Sequence, residues 1–398
     1  MKNKQLASVG LTLALMWAGH FLVDVMIGFW SIYKTISGVD LALAGLIAGI
    51  CPFIGEGMQV LFGSIGDRGY RKLLFLFGII ATCASAFFPV YQSYLFFFFV
   101  YLVTCIGSGA FHPTAVAITS SLTQHRKGLY ITIFASGGAL GLALSHTIFS
   151  LWYLHFQLST AWLIVPAIVL FMFTVMQTMP GALPQPSQPG KRYGLKALKK
   201  LFGHRELRIL YFSQVCILSI YWGMIFLLPD VLTSKGYPEW VCFGAGHFVF
   251  IMGGALMMIP GGHLSDRFSA RSVLLVSNMV GCVIFYLFLL TPYLSIPVAL
   301  LLLSMMGASL GTANPVAVAL GNKIMPSRPG LVSAFLMGMV WCVAEWIGPG
   351  GGGMLTKLFT DNAPVFALST LGVLFCIGTA MTALLPSAVD KEFELDLA

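Results

Sequence analysis

Ionisable side chains interrupt several long apolar stretches of this sequence, among them His20, Asp24, Glu56 and Glu345. His20 and Asp24 are one helical turn apart, so they share a face of any helix that contains them. A neighbouring carboxylate favours the protonated imidazole, whereas loss of solvent disfavours charge on both groups. Such a pair can exchange a proton as its access to water changes. The alternative is a neutral hydrogen bond that holds two helices together.

Glu56 and Glu345 are the other acids within apolar stretches. Glu56 stands between two glycines, and it either transfers protons or makes an inter-helix hydrogen bond. Glu345 lies beside Trp346 and four residues after Trp341. Aromatic rings beside a buried acid suit a cavity for an amphipathic or cationic ligand. The residues predicted to take up and release protons are therefore His20, Asp24, Glu56 and Glu345.

Two proline motifs occupy corresponding places in the chain, His112-Pro113 and Asn314-Pro315. A proline inside a helix frees a backbone carbonyl and lets the helix bend. We predict helix kinks at Pro113, Pro315 and Pro349. His112 would bind substrate or carry a proton, unless it is a structural histidine at the kink. The second motif lacks a titratable group, so the chemistry is predicted to be asymmetric. The predicted substrate cavity comprises His20, Asp24, His112, Asn314, Trp341, Glu345 and Trp346.

The composition identifies the elements that must position these residues. Hydrophobic residues make up 58% of the 398 residues and charged residues 9%, with a mean hydropathy of +0.89; soluble domains average about 25% charged. Apolar runs of about 20 residues recur, each long enough to cross roughly 30 Å of hydrocarbon. The net charge of +8 lies in the gaps between these runs, which argues against nucleic acid as a partner. The cysteines, like His146 and His247, lie in apolar runs and are predicted to pack in the core, so no metal site is predicted.

The fold class predicted is an all-α membrane protein of twelve transmembrane helices in two six-helix bundles, residues 1–180 and 207–386. A cytoplasmic linker, 181–206, joins the bundles, and its second part could form an amphipathic helix on the lipid surface. An acidic cytoplasmic tail follows at 387–398. The predicted spans are 8–33, 39–62, 73–91, 93–118, 129–152, 157–180, 207–232, 239–261, 272–291, 294–320, 330–356 and 361–386.

The distribution of Lys and Arg predicts the orientation. With the N-terminus inside, all of the 22 Lys and Arg residues are cytoplasmic except Lys34, Lys235 and Lys357. This bias follows the positive-inside rule, so both termini are predicted to be cytoplasmic. None of these basic residues lies mid-membrane, so an anionic substrate would depend on protonated His20 or His112, or on helix N-termini. The buried acids permit a cationic or zwitterionic substrate.

A charged turn is repeated half a chain later. Gly-Ser-Ile-Gly-Asp-Arg at 63–68 returns as Gly-His-Leu-Ser-Asp-Arg at 262–267, a shift of 199 residues, and the proline motifs repeat at a shift of 202. Two like-oriented halves are therefore predicted. An acid and an arginine in each turn could bridge neighbouring helices and close the cytoplasmic side in one state; the alternative is a loop that only sets topology. The predicted cytoplasmic gate comprises Gly63, Asp67, Arg68, Arg71, Gly262, Asp266, Arg267 and Arg271.

Two six-helix halves with these Asp-Arg loops resemble the major facilitator superfamily across the whole chain. Within it, Gly-His-Phe-x-x-Asp at 19–24 and Gly-Ser-Gly-Ala-Phe-His-Pro at 107–113 resemble the fosmidomycin-resistance group of bacterial exporters. Two positions depart from the superfamily's patterns. Tyr70 stands where the loop usually has Gly, and Leu142 stands where the antiporter motif has Pro, although Gly128, Gly137 and Gly141 have its spacing.

The resemblance implies a proton-coupled antiporter of the bacterial inner membrane, which confers antibiotic resistance by efflux of a drug or metabolite. It needs no cofactor, because the proton gradient is the energy source. The expected partners are a small-molecule substrate, protons and the lipid bilayer, and a monomer is expected. The alternatives are a proton symporter that imports a small nutrient and a non-transporting sensor or scaffold. No metalloprotease, hydrolase or nucleotide-binding motif occurs, so we predict that the chain is not an enzyme.

Overall fold

The computed structural model describes residues 2–123, 125–156, 159–177, 201–326 and 329–386, together with 179 and 199. Regular structure in this part of the chain is helical. Ten helices in it are long and apolar enough to cross a membrane, and an eleventh apolar helix, α5, is shorter. In chain order they are α1 Ser8–Ile36, α2 Leu41–Val90, α3 Tyr94–Ser121, α4 Lys127–His155, α5 Thr160–Met176, α6 Arg205–Ser234, α7 Val241–Arg267, α8 Ala270–Leu290, α9 Ile296–Ile324, α10 Leu331–Leu358 and α11 Ala363–Ala383.

The difference from twelve predicted spans arises in α2, which contains both the second and the third of them. The charged turn Gly66–Tyr70 lies in the middle of α2, where helical dihedrals fail only at Gly69, with φ of 102°. A residue with a side chain rarely adopts this left-handed conformation, so Gly69 allows the kink between the two arms of α2. The loop thus places its glycine one residue before Tyr70. Residues 265–269, which correspond to Gly66–Tyr70 in the second half, contain no glycine. There the Ser269 hydroxyl accepts a hydrogen bond from the Ser272 backbone N–H at 3.1 Å, at the beginning of α8.

The described residues form two compact units. The first takes its residues from Met1–Val39 and Ile50–Gly190, and the second takes its residues from Asp40–Gly49 and Lys191–Ala398. The predicted linker 181–206 lies outside the described residues as far as 198. Of its last residues, Leu201 is buried, and the Phe202 ring packs against Tyr211 and Phe335 of the second unit.

Asp40–Gly49 belongs with the second unit because its glycines pack against the glycine-rich part of α10. A Cβ on Gly353 would lie 2.5 Å from the Leu41 carbonyl oxygen and 2.8 Å from the Gly45 Cα. Only residues without side chains permit this backbone approach, which is the usual role of small residues between membrane helices. The Lys357 ammonium at the end of α10 binds the carboxylate of Asp40, the first residue of the segment. The pKa of Asp40 is therefore held below its usual value, chiefly by its hydrogen bond with Lys357.

The sequence repeat is also a repeat of packing. In the first unit, a Cβ on Gly109 of α3 would collide with the Gly55 carbonyl of α2. In the second, a Cβ on Gly311 of α9 would lie 2.5 Å from the Gly254 Cα of α7. The sequence shifts of 199 and 202 relate Gly55 to Gly254 and Gly109 to Gly311. Corresponding helices, α2 with α3 and α7 with α9, are therefore joined in the two units by corresponding glycines.

A basic residue after each charged turn donates hydrogen bonds to backbone carbonyls at the end of another helix in both units. The Lys72 ammonium donates hydrogen bonds to the Val175 and Gln177 carbonyls, at 3.0 and 2.8 Å, at the end of α5. The Arg271 guanidinium donates to the Ala383 carbonyl, at 2.8 Å, at the end of α11. A cation at a helix C-terminus satisfies carbonyls that have no partner within the helix. Each unit thus fastens the end of its last helix to its charged turn.

Candidate functional site

Three helices of the first unit bring the predicted ionisable residues together. His20 and Asp24 lie on α1, Glu56 lies on the first half of α2, and His112 lies on α3. The exposed fractions of the His20, Asp24 and His112 side chains are 10%, 17% and 23%. Ionisable groups at this depth in a membrane protein are costly and usually functional. The site is therefore built from the residues that the sequence singled out, and His112 joins the predicted His20–Asp24 pair.

The Asp24 carboxylate is the centre of the arrangement. Its Oδ2 lies 3.4 Å from Nε2 of His20, and its Oδ1 lies 3.3 Å from Nε2 of His112. The two imidazole rings meet edge to face, with centroids 5.1 Å apart. One carboxylate thus faces two imidazole nitrogens, one at each of its oxygens.

The other nitrogen of each ring lies against a backbone carbonyl. Nδ1 of His20 is 2.9 Å from the Phe134 carbonyl oxygen, and Nδ1 of His112 is 3.0 Å from the Ser108 carbonyl oxygen. A carbonyl only accepts hydrogen bonds, so each Nδ1 carries the hydrogen. In a neutral ring, Nε2 then presents a lone pair to Asp24. Two lone pairs facing one carboxylate repel it, and a cation between them removes the repulsion.

A hydroxyl connects this centre to the fourth ionisable residue. The Ser108 hydroxyl donates to the Glu56 carboxylate at 2.9 Å and lies 3.1 Å from Nδ1 of His112. Glu56 therefore makes the inter-helix hydrogen bond that was one of its two predicted roles. The same contact completes a hydrogen-bonded chain from Asp24 through His112 and Ser108 to Glu56. Such a chain is a route along which a proton can pass between two half-buried acids.

A residue that sequence reasoning missed shapes the site from α4. A Cβ on Gly138 would lie 2.4 Å or less from the His20 imidazole and 2.6 Å from Oδ2 of Asp24. The Phe134 ring, one turn earlier, stacks on the His20 ring at 4.1 Å between centroids. Gly138 lets α4 approach α1 closely enough for these contacts. The only signal in the sequence is that Gly137 and Gly138 are adjacent within an apolar stretch.

The predicted site residues of the second unit lie on α9 and α10. Glu345 is buried, whereas Trp346 is 43% exposed, so neighbouring residues face different surroundings. The Trp341 ring packs against Trp222 of α6 at 6.0 Å. The Asn314 amide donates a hydrogen bond to the Leu336 carbonyl at 3.1 Å, which ties α9 to α10. The substrate-binding role of these residues remains a prediction.

The predicted gate residues make contacts within their own units. Asp67 binds Arg71, four residues later, at 3.0 Å, and Asp266 lies 3.6 Å from the Lys323 ammonium of α9. Arg68 is exposed, and the Arg267 guanidinium lies over the Phe268 ring at 5.6 Å. The gating function of these loops, Gly63 and Gly262 included, remains a prediction.

The other sequence expectations concern prolines, histidines and cysteines. α3 and α9 continue past Pro113 and Pro315, whereas Pro349 lies in the wider π-type turn Trp346–Gly351. His146 and His247 are fully buried, as predicted for core residues. Of the eight cysteines, seven are buried or half-buried and Cys376 is exposed.

The helices and their repeated charged turns define a polytopic helical membrane protein of the transporter type. Residues 9–349 match the Major Facilitator Superfamily. The chain belongs to this family. It is therefore a multi-pass membrane transporter of a small molecule and not an enzyme.

Individual proteins resemble the chain over most of its length. The "Uncharacterized MFS-type transporter YfnC" of Bacillus subtilis strain 168 is 23% identical over 317 residues, which cover 75% of this chain and 74% of that protein. A bacterial homolog of the human lysosomal transporter Spinster, in an inward-facing and occupied conformation, has a TM-score of 0.75 at 15% identity, covering 94% of this chain and 95% of that chain. The nucleoside transporter NupG, in a point-mutant form, has a TM-score of 0.75 at 15% identity, covering 96% and 99%. These structures share the fold with this chain. The narrower resemblance to the fosmidomycin-resistance group stays a prediction.

Proposed function

We propose that this chain is a proton-coupled secondary transporter that moves a small molecule by alternating access. The observation that carries the proposal is the Asp24 carboxylate facing Nε2 of both His20 and His112. Because both Nδ1 atoms donate to carbonyls, the arrangement is favourable when a proton lies between a ring and the carboxylate. Loss of that proton leaves lone pairs opposed, so proton occupancy changes the energy of the packing between α1 and α3. This is how a proton gradient can drive a conformational change.

Glu56 extends the site toward a second proton acceptor. The Ser108 hydroxyl donates to Glu56, so the single hydrogen on Nδ1 of His112 is shared between the carbonyl and the hydroxyl oxygen of Ser108. A proton can pass along this chain only as the hydroxyl reorients. In the second unit, we propose Glu345 as a further acid that takes part in proton or substrate binding.

The proposed topology has twelve crossings with both termini in the cytoplasm of a bacterial inner membrane. Two arms of α2 on either side of Gly66–Tyr70, together with α5, add to the other nine apolar helices to give this number. The arrangement of Lys and Arg supports the orientation. We propose that the protein works as a monomer, with residues 1–180 and 207–386 as the two six-helix halves.

The proposed direction is export of an antimicrobial or metabolite, as an antiporter. The motifs at 19–24 and 107–113 support it, because they resemble those of the fosmidomycin-resistance exporters and include His20, Asp24 and His112. Import by symport with protons is the opposite outcome of the same test.

The test is transport by the purified full-length protein in liposomes with an imposed pH gradient. A panel of anionic, zwitterionic and cationic compounds, with fosmidomycin as the anionic member, is offered on each side of the membrane. Proton movement is followed with a pH-sensitive dye trapped inside. We expect substrate-dependent proton flux in the native protein and its loss in Asp24→Asn. Asp361→Asn, which alters an exposed loop acid, is the matched control.

The outcome is decided by comparing the two variants at equal protein content and equal thermal stability. Unchanged proton flux in Asp24→Asn would remove Asp24 from the coupling mechanism. Substrate movement without any proton flux in the native protein would refute proton coupling itself. Movement of the compound and of protons across the membrane in opposite directions would establish antiport. Movement of both in the same direction would establish symport.

A further inference from the structure

Asp24 and the two histidines that face it have the spacing of metal ligands. One ligand atom from each of His20, Asp24 and His112 lies within 4.8 Å of the others. The two His–Asp separations are 3.4 and 3.3 Å. With metal–ligand bonds of about 2.0–2.2 Å, neighbouring ligands of a tetrahedral Zn²⁺ ion are roughly 3.3–3.5 Å apart. The two separations end on different oxygens of Asp24, so they fit an ion that the carboxylate binds through both of its oxygens.

The second contacts of both histidines fix the nitrogens that would bind the ion. Metal-binding histidines donate their other ring N–H to a carbonyl or carboxylate, which fixes the tautomer and the ring orientation. Nδ1 of His20 lies on the Phe134 carbonyl and Nδ1 of His112 on the Ser108 carbonyl, at 2.9 and 3.0 Å. Each Nε2 is thereby held as a lone-pair donor that points at the Asp24 carboxylate.

The charges of the site suit a divalent ion. Asp24 supplies one negative charge within the ligand set. Glu56, joined to His112 through the Ser108 hydroxyl, supplies a second one nearby. Two neutral imidazoles and two carboxylates balance an ion of charge +2, and a buried charge is tolerated when it is paired in this way. Nitrogen and oxygen donors together favour Zn²⁺ and its neighbours Co²⁺ and Ni²⁺ over Mg²⁺ and Ca²⁺, which prefer oxygen.

We propose that His20, Asp24 and His112 form a binding site for a divalent transition-metal ion of the Zn²⁺ class. This site was not predicted from the sequence, and no ligand-spacing motif contains its residues, because His112 comes from a different helix. The His112 side chain is 23% exposed, so the ion can be reached by water or by a further ligand. Binding requires unprotonated Nε2 atoms, and it therefore competes with protons at this site. The ion should therefore inhibit proton coupling, a consequence that rests on the proposed function. The binding of the ion to His20, Asp24 and His112 does not rest on it.

The direct test is equilibrium dialysis of the purified full-length protein in detergent against Zn²⁺, with bound metal measured by elemental analysis. Co²⁺ is the spectroscopic probe of the ligand set. We expect one Zn²⁺ per chain and a visible Co²⁺ spectrum of low-symmetry coordination. We expect Asp24→Asn and His112→Gln each to weaken binding at least tenfold.

The matched control is His204→Gln. His204 forms another histidine–acid contact of the described chain, with Nδ1 3.0 Å from Glu206, so it would account for adventitious binding. We expect this variant to bind Zn²⁺ like the native protein. Loss of the ion in His204→Gln, or native affinity in Asp24→Asn and His112→Gln, would overturn the proposal.

A measurement on the native protein tests the site without any substitution, so its result does not depend on whether a variant folds. Diethyl pyrocarbonate modifies accessible imidazoles, and mass spectrometry gives the extent at each histidine. We expect Zn²⁺ to reduce modification of His112 at least severalfold while exposed His155 is unaffected. Equal modification of His112 with and without Zn²⁺ would refute the site.

The two proposals fail separately. Zn²⁺ binding at these residues with proton flux unchanged in Asp24→Asn would leave the metal site and refute the proposed coupling. Proton flux lost in Asp24→Asn without any Zn²⁺ binding would leave the coupling and refute the metal site.

Discussion

Replacing Gly138 by alanine adds one methyl group where α4 meets the His20–Asp24 pair. The new Cβ would lie 2.4 Å or less from the His20 ring and 2.6 Å from Oδ2 of Asp24, whereas ordinary contacts are 3.4–4 Å. The ring or the helix must therefore move by about 1 Å. Such overpacking typically costs about 1–3 kcal/mol. The variant keeps every ionisable side chain, so any loss of coupling reports on geometry alone.

We expect Gly138→Ala to lower the free energy of unfolding by about 1–3 kcal/mol. We also expect it to reduce substrate-dependent proton flux roughly ten- to hundredfold, because a displacement of about 1 Å in a positioned group has effects of this size. Unfolding is followed by tryptophan fluorescence during titration with a denaturing detergent. Proton flux is measured in liposomes under the same pH gradient for both proteins.

The matched control is Gly128→Ala, at the beginning of the same helix, where a Cβ would meet nothing within 4 Å. This change should leave proton flux intact and stability unchanged or raised by up to about 1 kcal/mol, since alanine favours helix over glycine. If Gly138→Ala behaved like Gly128→Ala in both assays, the close packing of α4 on the His20–Asp24 pair would be wrong.

Three further predictions concern the packing of the units. Lys357→Met should lower the free energy of unfolding by up to about 1 kcal/mol near neutral pH, since the Lys357–Asp40 pair is partly exposed. Asp40 has a lowered pKa, so the contribution of the pair is present above about pH 4 and is lost on acidification. Thermal unfolding at pH 7 and pH 3 measures this loss. Gly353→Ala should destabilise by about 1–3 kcal/mol, whereas Gly351→Ala, which meets nothing within 4 Å, should change stability by less than about 0.5 kcal/mol; detergent unfolding compares them. Lys72→Met should cost about 0.3–1 kcal/mol by removing the cation at the end of α5, with less effect in high salt, measured by thermal unfolding.

Each of these has an outcome that would contradict it. A Lys357→Met effect that persists unchanged at pH 3 would show that the ion pair is not its cause. Equal stability of the Gly353→Ala and Gly351→Ala proteins would contradict the close contact of Asp40–Gly49 with α10. A Lys72→Met effect that is insensitive to salt would argue for lost packing of the aliphatic chain instead of lost charge.

The membrane location, the helices and the repeat could be predicted from the sequence because each depends on local properties. Apolar runs of sufficient length must be helical in a bilayer, where every backbone group needs a partner within its own segment. The charged turn recurs 199 residues later with its Gly, Asp and Arg at the same spacing, so the repeat can be recognised from the sequence. The spacing of His20 and Asp24 placed them on one helical face, and the structure confirms their contact. The number of separate helices was harder to predict, because the Asp-Arg turn of α2 is itself almost helical.

Only the tertiary structure decided which residues join that pair. Membrane helices are apolar on the faces that meet lipid and on those that meet protein, so hydropathy does not tell which way a side chain points. The rotation of α3 that places His112 against Asp24, and Ser108 against Glu56, is set by glycines such as Gly109 that admit a neighbouring backbone. A membrane transporter with a His–Asp pair on its first helix could thus be predicted from local sequence properties. Close packing of helices decided that the pair became a site of two histidines around one carboxylate.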